Sequence, residues 1–531
     1  LTPVKRAALR CATVTIMESE SADSRIQAAI VNTLARELRA TTGAPVALIE
    51  THISRVLLTD TRAYKIKKPV HYPFVDYSSL PVRQHFCEEE LRLNRRLAPT
   101  LYLGVSRITG TAAAPQLDGA GPLLEVAVCM QRFDAGATWS EQLADGNLQA
   151  RHVDRLAARL AAFHTGAEQA AAGSTFGNAA TRRATALNAC AAVAGAMPEA
   201  AREKLLAWLN GVAYALAPQW EDRRARGFVR ECHGDLHLHN LLVIGDDAQA
   251  FDGIEFNESL RWIDVIDDIA FAVMDLLAHG RRDFAARLLD GWLQDTGDHE
   301  ALPLLPFAIV YRALVRAEVA ALQSKAQTLA RYMAAAQSLA FAQPAPRLLL
   351  MHGLPGSGKT FISQRLLETT GAVRLRSDVE RKRLAGLAPL DDTRERAPAL
   401  YDERTTARTY AELLARARIA LAAGYPVILD AAYLKRAQRD AVAEMARDLR
   451  LPVVIVDCQA PLALLRERVG ARRARGGDAS EADVAVLERL AEVQELLQPD
   501  EAAPVITVDT AKAPDIAAVD AAWRAGAAAS A

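Results

Sequence analysis

Gly353-Leu-Pro-Gly-Ser-Gly-Lys-Thr360 follows the apolar run Leu348-Leu-Leu-Met-His352 and precedes a helical pattern, FISQRLLE. Strand, glycine-rich turn and helix in that order give the pattern G-x-x-x-x-G-K-[ST] its physical content. Glycines let the backbone curl so that successive N–H groups face an anion, and the helix N-terminus adds a favourable dipole. Gly353, Pro355, Gly356, Ser357 and Gly358 form the expected cradle for ATP. Lys359 is expected to reach the β- and γ-phosphates, and the Thr360 hydroxyl to bind Mg²⁺.

Working outward, apolar strands at 348–352, 427–430 and 453–457 alternate with helical stretches, the pattern of a parallel sheet covered by helices. Ligands of such sheets gather at the carboxyl ends of the strands. Asp378 stands after AVRLRS and Asp430 ends YPVILD. With GLPGSGKT, RSDVERKR, VILDAAYL and LRERVGARRARGGDASEADVAVLERL, most of 347–510 resembles the P-loop kinases of the polynucleotide kinase and zeta-toxin type. That resemblance implies that Asp378 accepts the acceptor hydroxyl's proton and that Asp430 is the Walker B partner of Mg²⁺. It implies that Arg468, Arg472 and Arg473 are lid arginines that neutralise the transferred phosphoryl group. A strand-end aspartate is also a common helix N-cap, and an arginine run is also a solvated helix face.

Upstream, Ala342-Gln-Pro-Ala-Pro-Arg347 has two prolines in three positions, which stops a helix and marks a linker. The stretch before it is strand-like at the front, over 46–58, 63–67 and 123–133. It becomes helical beyond Trp139, as at 153–164 and 201–216, which suggests a two-lobed α+β domain. Within it, His233-Gly-Asp-Leu-His-Leu-His-Asn240 carries the H-x-D-x-x-x-x-N spacing of a kinase catalytic loop. Asp235 would hold the acceptor hydroxyl and Asn240 would bind Mg²⁺. An apolar strand then leads to Asp252, where a second metal-binding carboxylate belongs. Ala63-Tyr-Lys65 fits the strand lysine of a kinase, with Lys67 a rival on the same face. The helix carrying Glu88, Glu89 and Glu90 supplies the ion-pair partner, assigned to Glu90.

HGDLHLHN, with glycine where protein kinases have arginine, and Asp264-Val-Ile-Asp-Asp268-Ile-Ala resemble the aminoglycoside phosphotransferase family, which includes choline-kinase-like enzymes. The resemblance spans roughly 26–341, and no G-x-G-x-x-G loop precedes Lys65. His233, His237 and His239 could form a zinc site only on a helix, and Asn240 with Asp252 suits Mg²⁺–ATP better. Nucleotide binding without transfer is the other reading of this domain. Glu255-Phe-Asn-Glu258 is either solvated surface or a place to meet a cationic acceptor.

The expected architecture is therefore an α+β two-lobed kinase-like domain (26–341), a linker (342–347) and an α/β P-loop domain with a parallel sheet (348–520). The whole resembles bacterial fusions of an aminoglycoside-phosphotransferase-like domain with a P-loop kinase or ATPase domain. Residues 1–25 are expected to be a disordered extension, the first methionine being Met17. Lysine plus arginine (63) nearly balance aspartate plus glutamate (64) over 531 residues, so no global basic field favours nucleic acid or an anionic membrane. The six cysteines are scattered without metal-type spacing, which fits a cytoplasmic protein with reduced thiols. Bifunctional transfer from ATP to hydroxyl groups of small-molecule acceptors, nucleotides or polynucleotide ends among the candidates, is the expected activity. One catalytic domain with a nucleotide-sensing partner, or an ATPase switch, are the alternatives.

Overall fold

The computed structural model describes residues 22–72, 75–343, 345–393, 398–475 and 478–528. Residues 1–21 of the expected extension lie outside these, as does Pro344 of the linker. Residues 22–25 already belong to a helix, Ala22–Thr42. The chain divides into two compact units, one of residues up to His279 with Phe307–Ala340, the other of Gly280–Pro306 with the chain from Phe341 onward. No helix among the described residues is long and apolar enough to cross a membrane.

The first unit opens with a six-stranded antiparallel sheet in the order Ala47–Glu50, Ser54–Leu58, Arg62–Lys67, Leu123–Gln131, Tyr102–Thr111, Ala114–Leu117. Along Arg62–Lys67 the side chains alternate between its two faces. Tyr64 and Ile66 join the cluster of Val31, Leu34 and Ile108 on one face. Ala63 joins Cys87 of the helix Leu80–Asn94, together with Val126 and Val128, on the other. Lys65 and Lys67 share the Ala63 face and so meet that helix. The rear lobe is helical, with Ala150–Gly166, Ala179–Ala192, Glu199–Ala225 and Val265–Ala278. Val265–Ala278 is buried on nearly every side, Asp267, Asp268 and Asp275 included.

The second unit holds a five-stranded parallel sheet in the order Val373–Arg376, Val427–Asp430, Leu348–His352, Val453–Gln459, Val505–Asp509. The central strand Leu348–His352 is wholly buried, as a parallel sheet covered on both faces requires. Gly280–Pro306, which in sequence precedes the proline-rich linker, is part of this unit. Its helix Arg282–Thr296 sets Asp290 against Arg374 of the sheet, Nη2 to Oδ2 at 2.7 Å, with both side chains buried. Arg287 pairs with Glu368 at 2.7 Å, and Arg416 donates to Gly297 O at 2.6 Å. The unit also continues past 520: the helix Ile516–Ala528 buries Val519 and Trp523 in the core, and Trp523 Nε1 donates to Leu348 O at 3.2 Å.

Candidate active sites

In the first unit, two aspartates seven residues apart on Val265–Ala278 shape the loop from His233 to Asn240. Two helical turns put them on one face. Asp268 accepts the backbone N–H groups of His233 (3.0 Å) and Gly234 (2.8 Å) and bonds His164 Nε2 at 3.1 Å. Asp275 accepts the N–H of Leu238 at 2.8 Å. Gly234 has φ +85°, and a Cβ there would lie 2.7 Å from Leu260 O, which explains glycine where protein kinases carry arginine.

This loop presents Asp235 with its side chain 31% exposed. Asn240 Nδ2 donates to the Asp235 carbonyl at 3.0 Å and to its Oδ2 at 3.1 Å, and His237 Nε2 lies 3.3 Å from the same Oδ2. Burial pushes the Asp235 carboxyl up, but His237, Arg316 and His233 outweigh it and hold it well below the usual range. The group is therefore an anion at neutral pH, able to orient a hydroxyl and take its proton.

The strand lysines meet the second carboxylate. Lys65 Nζ lies 2.8 Å from Glu90 Oε1 and 2.5 Å from Asp252 Oδ1. Lys67 pairs with Glu90 Oε2 at 2.7 Å and with Glu255, which also accepts from Tyr77 Oη at 2.5 Å. Burial would lower both amines, yet these carboxylates hold them well above the ordinary lysine value. Lys67 is almost wholly buried, whereas Lys65 touches the half-exposed Asp252. Glu255 is thus neither solvated nor turned to a cationic acceptor; it is locked under the sheet. Asp252 has φ 60°, and its N–H donates to Tyr102 Oη at 3.1 Å. His233 Nε2 bonds Phe251 O at 3.0 Å and its Nδ1 accepts the N–H of Asp235 at 3.2 Å, so its ring joins loop to strand instead of holding zinc.

In the second unit the glycine-rich turn curls over Lys359, whose Nζ donates to Gly353 O (2.7 Å) and Leu354 O (2.9 Å). Gly353 has φ +133°, and a Cβ would sit 2.6 Å from Cys458 O, so no other residue fits there. Burial lowers the Lys359 amine, against the pull of Cys458, Asp430 and Asp378. The turn borders a cavity of 1330 Å³ whose walls include Pro355, Gly356, Gly358, Lys359, Thr360, Asp378, Asp430, Arg468, Arg472 and Arg473. Ser357 is buried beneath it. Asp430 ends its strand and accepts from Ser363 Oγ at 3.0 Å. Asp378 lies in the first turn of the helix Ser377–Leu384, whose N-cap position is Arg376.

The three arginines are tied down to different degrees. Arg468 donates to Gly356 O (3.3 Å) and Thr510 O (2.6 Å), Arg472 to Ala482 O (3.0 Å), and Arg473 stands 3.7 Å from Asp483. Arg376, which motif reasoning passed over, also lines the cavity, 3.8 Å from Asp430 and 3.2 Å from Asp478. Its place at the strand end, two residues before Asp378, was the available signal.

Both sites offer hard oxygen donors of the kind Mg²⁺ prefers. Asn240 turns its amide nitrogen to Asp235, which leaves its side-chain carbonyl oxygen as a donor for a cation, and the Asp252 carboxylate is half exposed. In the second unit the exposed Thr360 and the buried Asp430 border one cavity.

Comparison with known proteins finds a separate match for each site, although the first match runs on through 280–305, which pack in the second unit. Residues 59–305 match the family model described as phosphotransferase enzyme family, and residues 348–497 match that of an AAA domain. The chain is similar to uncharacterized proteins of Mycobacterium tuberculosis and Mycobacterium bovis, 29% identical over 447 residues, covering 81% of this chain and 87% of each relative. Similar solved structures include a choline kinase from Cryptosporidium parvum Iowa II (11% identity, 59% of this chain and 95% of that one, TM-score 0.38). A gluconokinase from Sinorhizobium meliloti 1021 is another (22% identity, 35% and 94%, TM-score 0.24).

Proposed function

We propose that the chain is a phosphotransferase in which the domain similar to the phosphotransferase enzyme family and the P-loop domain each transfer the γ-phosphate of ATP to a hydroxyl group. The observation that carries this reading is the presence, in each compact unit, of its own set of cations and carboxylates for handling phosphate. In the first, Lys65 with Glu90 positions ATP, Asn240 and Asp252 hold Mg²⁺, and Asp235 orients the acceptor. In the second, residues 353–360 cradle the phosphates, Thr360 and Asp430 hold Mg²⁺, and Asp378 takes the acceptor proton. Arg468, Arg472 and Arg473 close over the transferred group. Bound Mg²⁺ neutralises charge on the β- and γ-phosphates.

Calorimetric titration with a non-hydrolysable ATP analogue and Mg²⁺ tests the reading. Two binding events are expected, of which Lys359→Ala removes one and Asp252→Ala weakens the other. A single event abolished by Lys359→Ala would leave the first unit without a nucleotide site.

A further inference from the structure

The surroundings of Asp235 carry information about the acceptor. His237 lies 3.3 Å from Asp235, and its ring stands 5.7 Å from that of His239, which is exposed, and 5.9 Å from that of Phe271. Arg312 lies over the Phe271 ring at 4.8 Å, and Arg316 over the Tyr332 ring at 5.7 Å. Tyr332 Oη donates to Asp275 at 2.7 Å, and His279, which bonds Arg331 at 2.7 Å, lies 3.3 Å from the same carboxylate. Six cationic or potentially cationic side chains thus gather around Phe271, Tyr332 and Asp275, and of these His237 and Arg316 act directly on Asp235.

The carboxylates within this group are already engaged. Asp275 serves Leu238, Tyr332 and His279, and Asp267 pairs with Arg182 at 2.6 Å. Glu255, from the acidic stretch nearest in sequence, is locked with Lys67 and Tyr77. Two nitrogens of the group are buried with no partner among the described residues, the Nε donor of Arg316 and Nδ1 of His237, the latter residue only 7% exposed. Buried polar atoms without partners are rare and point to a missing ligand or water. A cationic acceptor would meet the Arg316 guanidinium as repulsion, whereas an oxyanion would meet it as an unsatisfied donor.

We propose that the acceptor of the first site is a hydroxyl compound that also carries an oxyanion, a carboxylate or a phosphate, bound through Arg316. The proposal rests on Asp235 being the group that receives the hydroxyl proton. In the transfer, the acceptor oxygen bonds the γ-phosphorus as the bond to the β-phosphate oxygen breaks. ADP leaves with the electron pair and the proton passes to Asp235.

The test uses the full chain carrying Lys359→Ala, with and without Arg316→Gln, saturated with a non-hydrolysable ATP analogue and Mg²⁺. Inorganic phosphate, gluconate, glucosamine and choline are titrated in separate calorimetric runs. Phosphate or gluconate is expected to bind, Arg316→Gln to weaken that binding about tenfold or more, as for loss of a hydrogen bond to a charged group, and Arg316→Lys to restore part of it. The phosphate and gluconate arms tell a phosphorylated from a carboxylated acceptor. Binding of choline or glucosamine in preference to both anions overturns the proposal, as does anion binding that Arg316→Gln leaves unchanged, or no anion binding at all. The nucleotide titration of the same sample reads the kinase assignment separately, because its loss in Asp252→Ala does not depend on Arg316.

Discussion

Asp235→Asn is expected to lower phosphoryl transfer by the first domain ~10²–10⁴-fold, the usual loss for a missing general base, while ATP affinity and melting temperature hold. Asparagine keeps the shape of the side chain and still offers an oxygen to Asn240 Nδ2, which donates to Asp235 at 3.1 Å. What it loses is the anion that His237, Arg316 and His233 stabilise against burial. Asp252→Ala should behave differently. Its carboxylate lies against Lys65 at 2.5 Å and is half exposed, so its loss should weaken Mg²⁺–ATP binding first. Steady-state kinetics beside nucleotide titration separate the two. Transfer retained in both variants would rule out the kinase-loop assignment.

Asp378→Asn is expected to have an effect of similar size in the P-loop domain, again ~10²–10⁴-fold on transfer, with unchanged ATP binding. An N-cap role would instead cost only about 1 kcal/mol of stability, less still for asparagine, which caps as well as aspartate. The structure places Asp378 inside the first turn and on the wall of the cavity that holds Lys359. The assay belongs on the full chain with the first site silenced by Asp252→Ala. A fragment starting near Pro346 would lack Asp290 and leave Arg374 as a buried, unpaired cation, a defect worth about 3–5 kcal/mol. Transfer above about a tenth of wild type would return Asp378 to a structural role.

Much of this was legible in the sequence because the decisive residues are local. The turn at 353–360 lies between a strand and a helix, and the spacing from His233 to Asn240 fixes a loop by itself. The linker prolines stand close to the crossing at Ala340, yet nothing local marks Gly280–Pro306 as part of the second unit. Its attachment depends on long-range pairs such as Asp290 with Arg374, which periodicity does not reveal. The strands Tyr102–Thr111 and Ala114–Leu117 were missed because Gly104, Gly110 and Pro115 break the alternation that marks a strand. The rivalry of Lys65 and Lys67 could not be resolved from a shared face. Only the packing of Glu90 between them, with Asp252 on one and Glu255 on the other, separates their surroundings.

The central claim is that two independent sites each transfer phosphate. It is tested most directly by incubating a pool of small metabolites with γ-labelled ATP and each of four proteins: wild type, Lys359→Ala, Asp252→Ala and the double variant. Mass spectrometry then identifies the labelled products. Each single variant should lose a different set of products, and the double variant should lose them all. Loss of the same products in both single variants, or loss of every product in one of them, would contradict two independent sites.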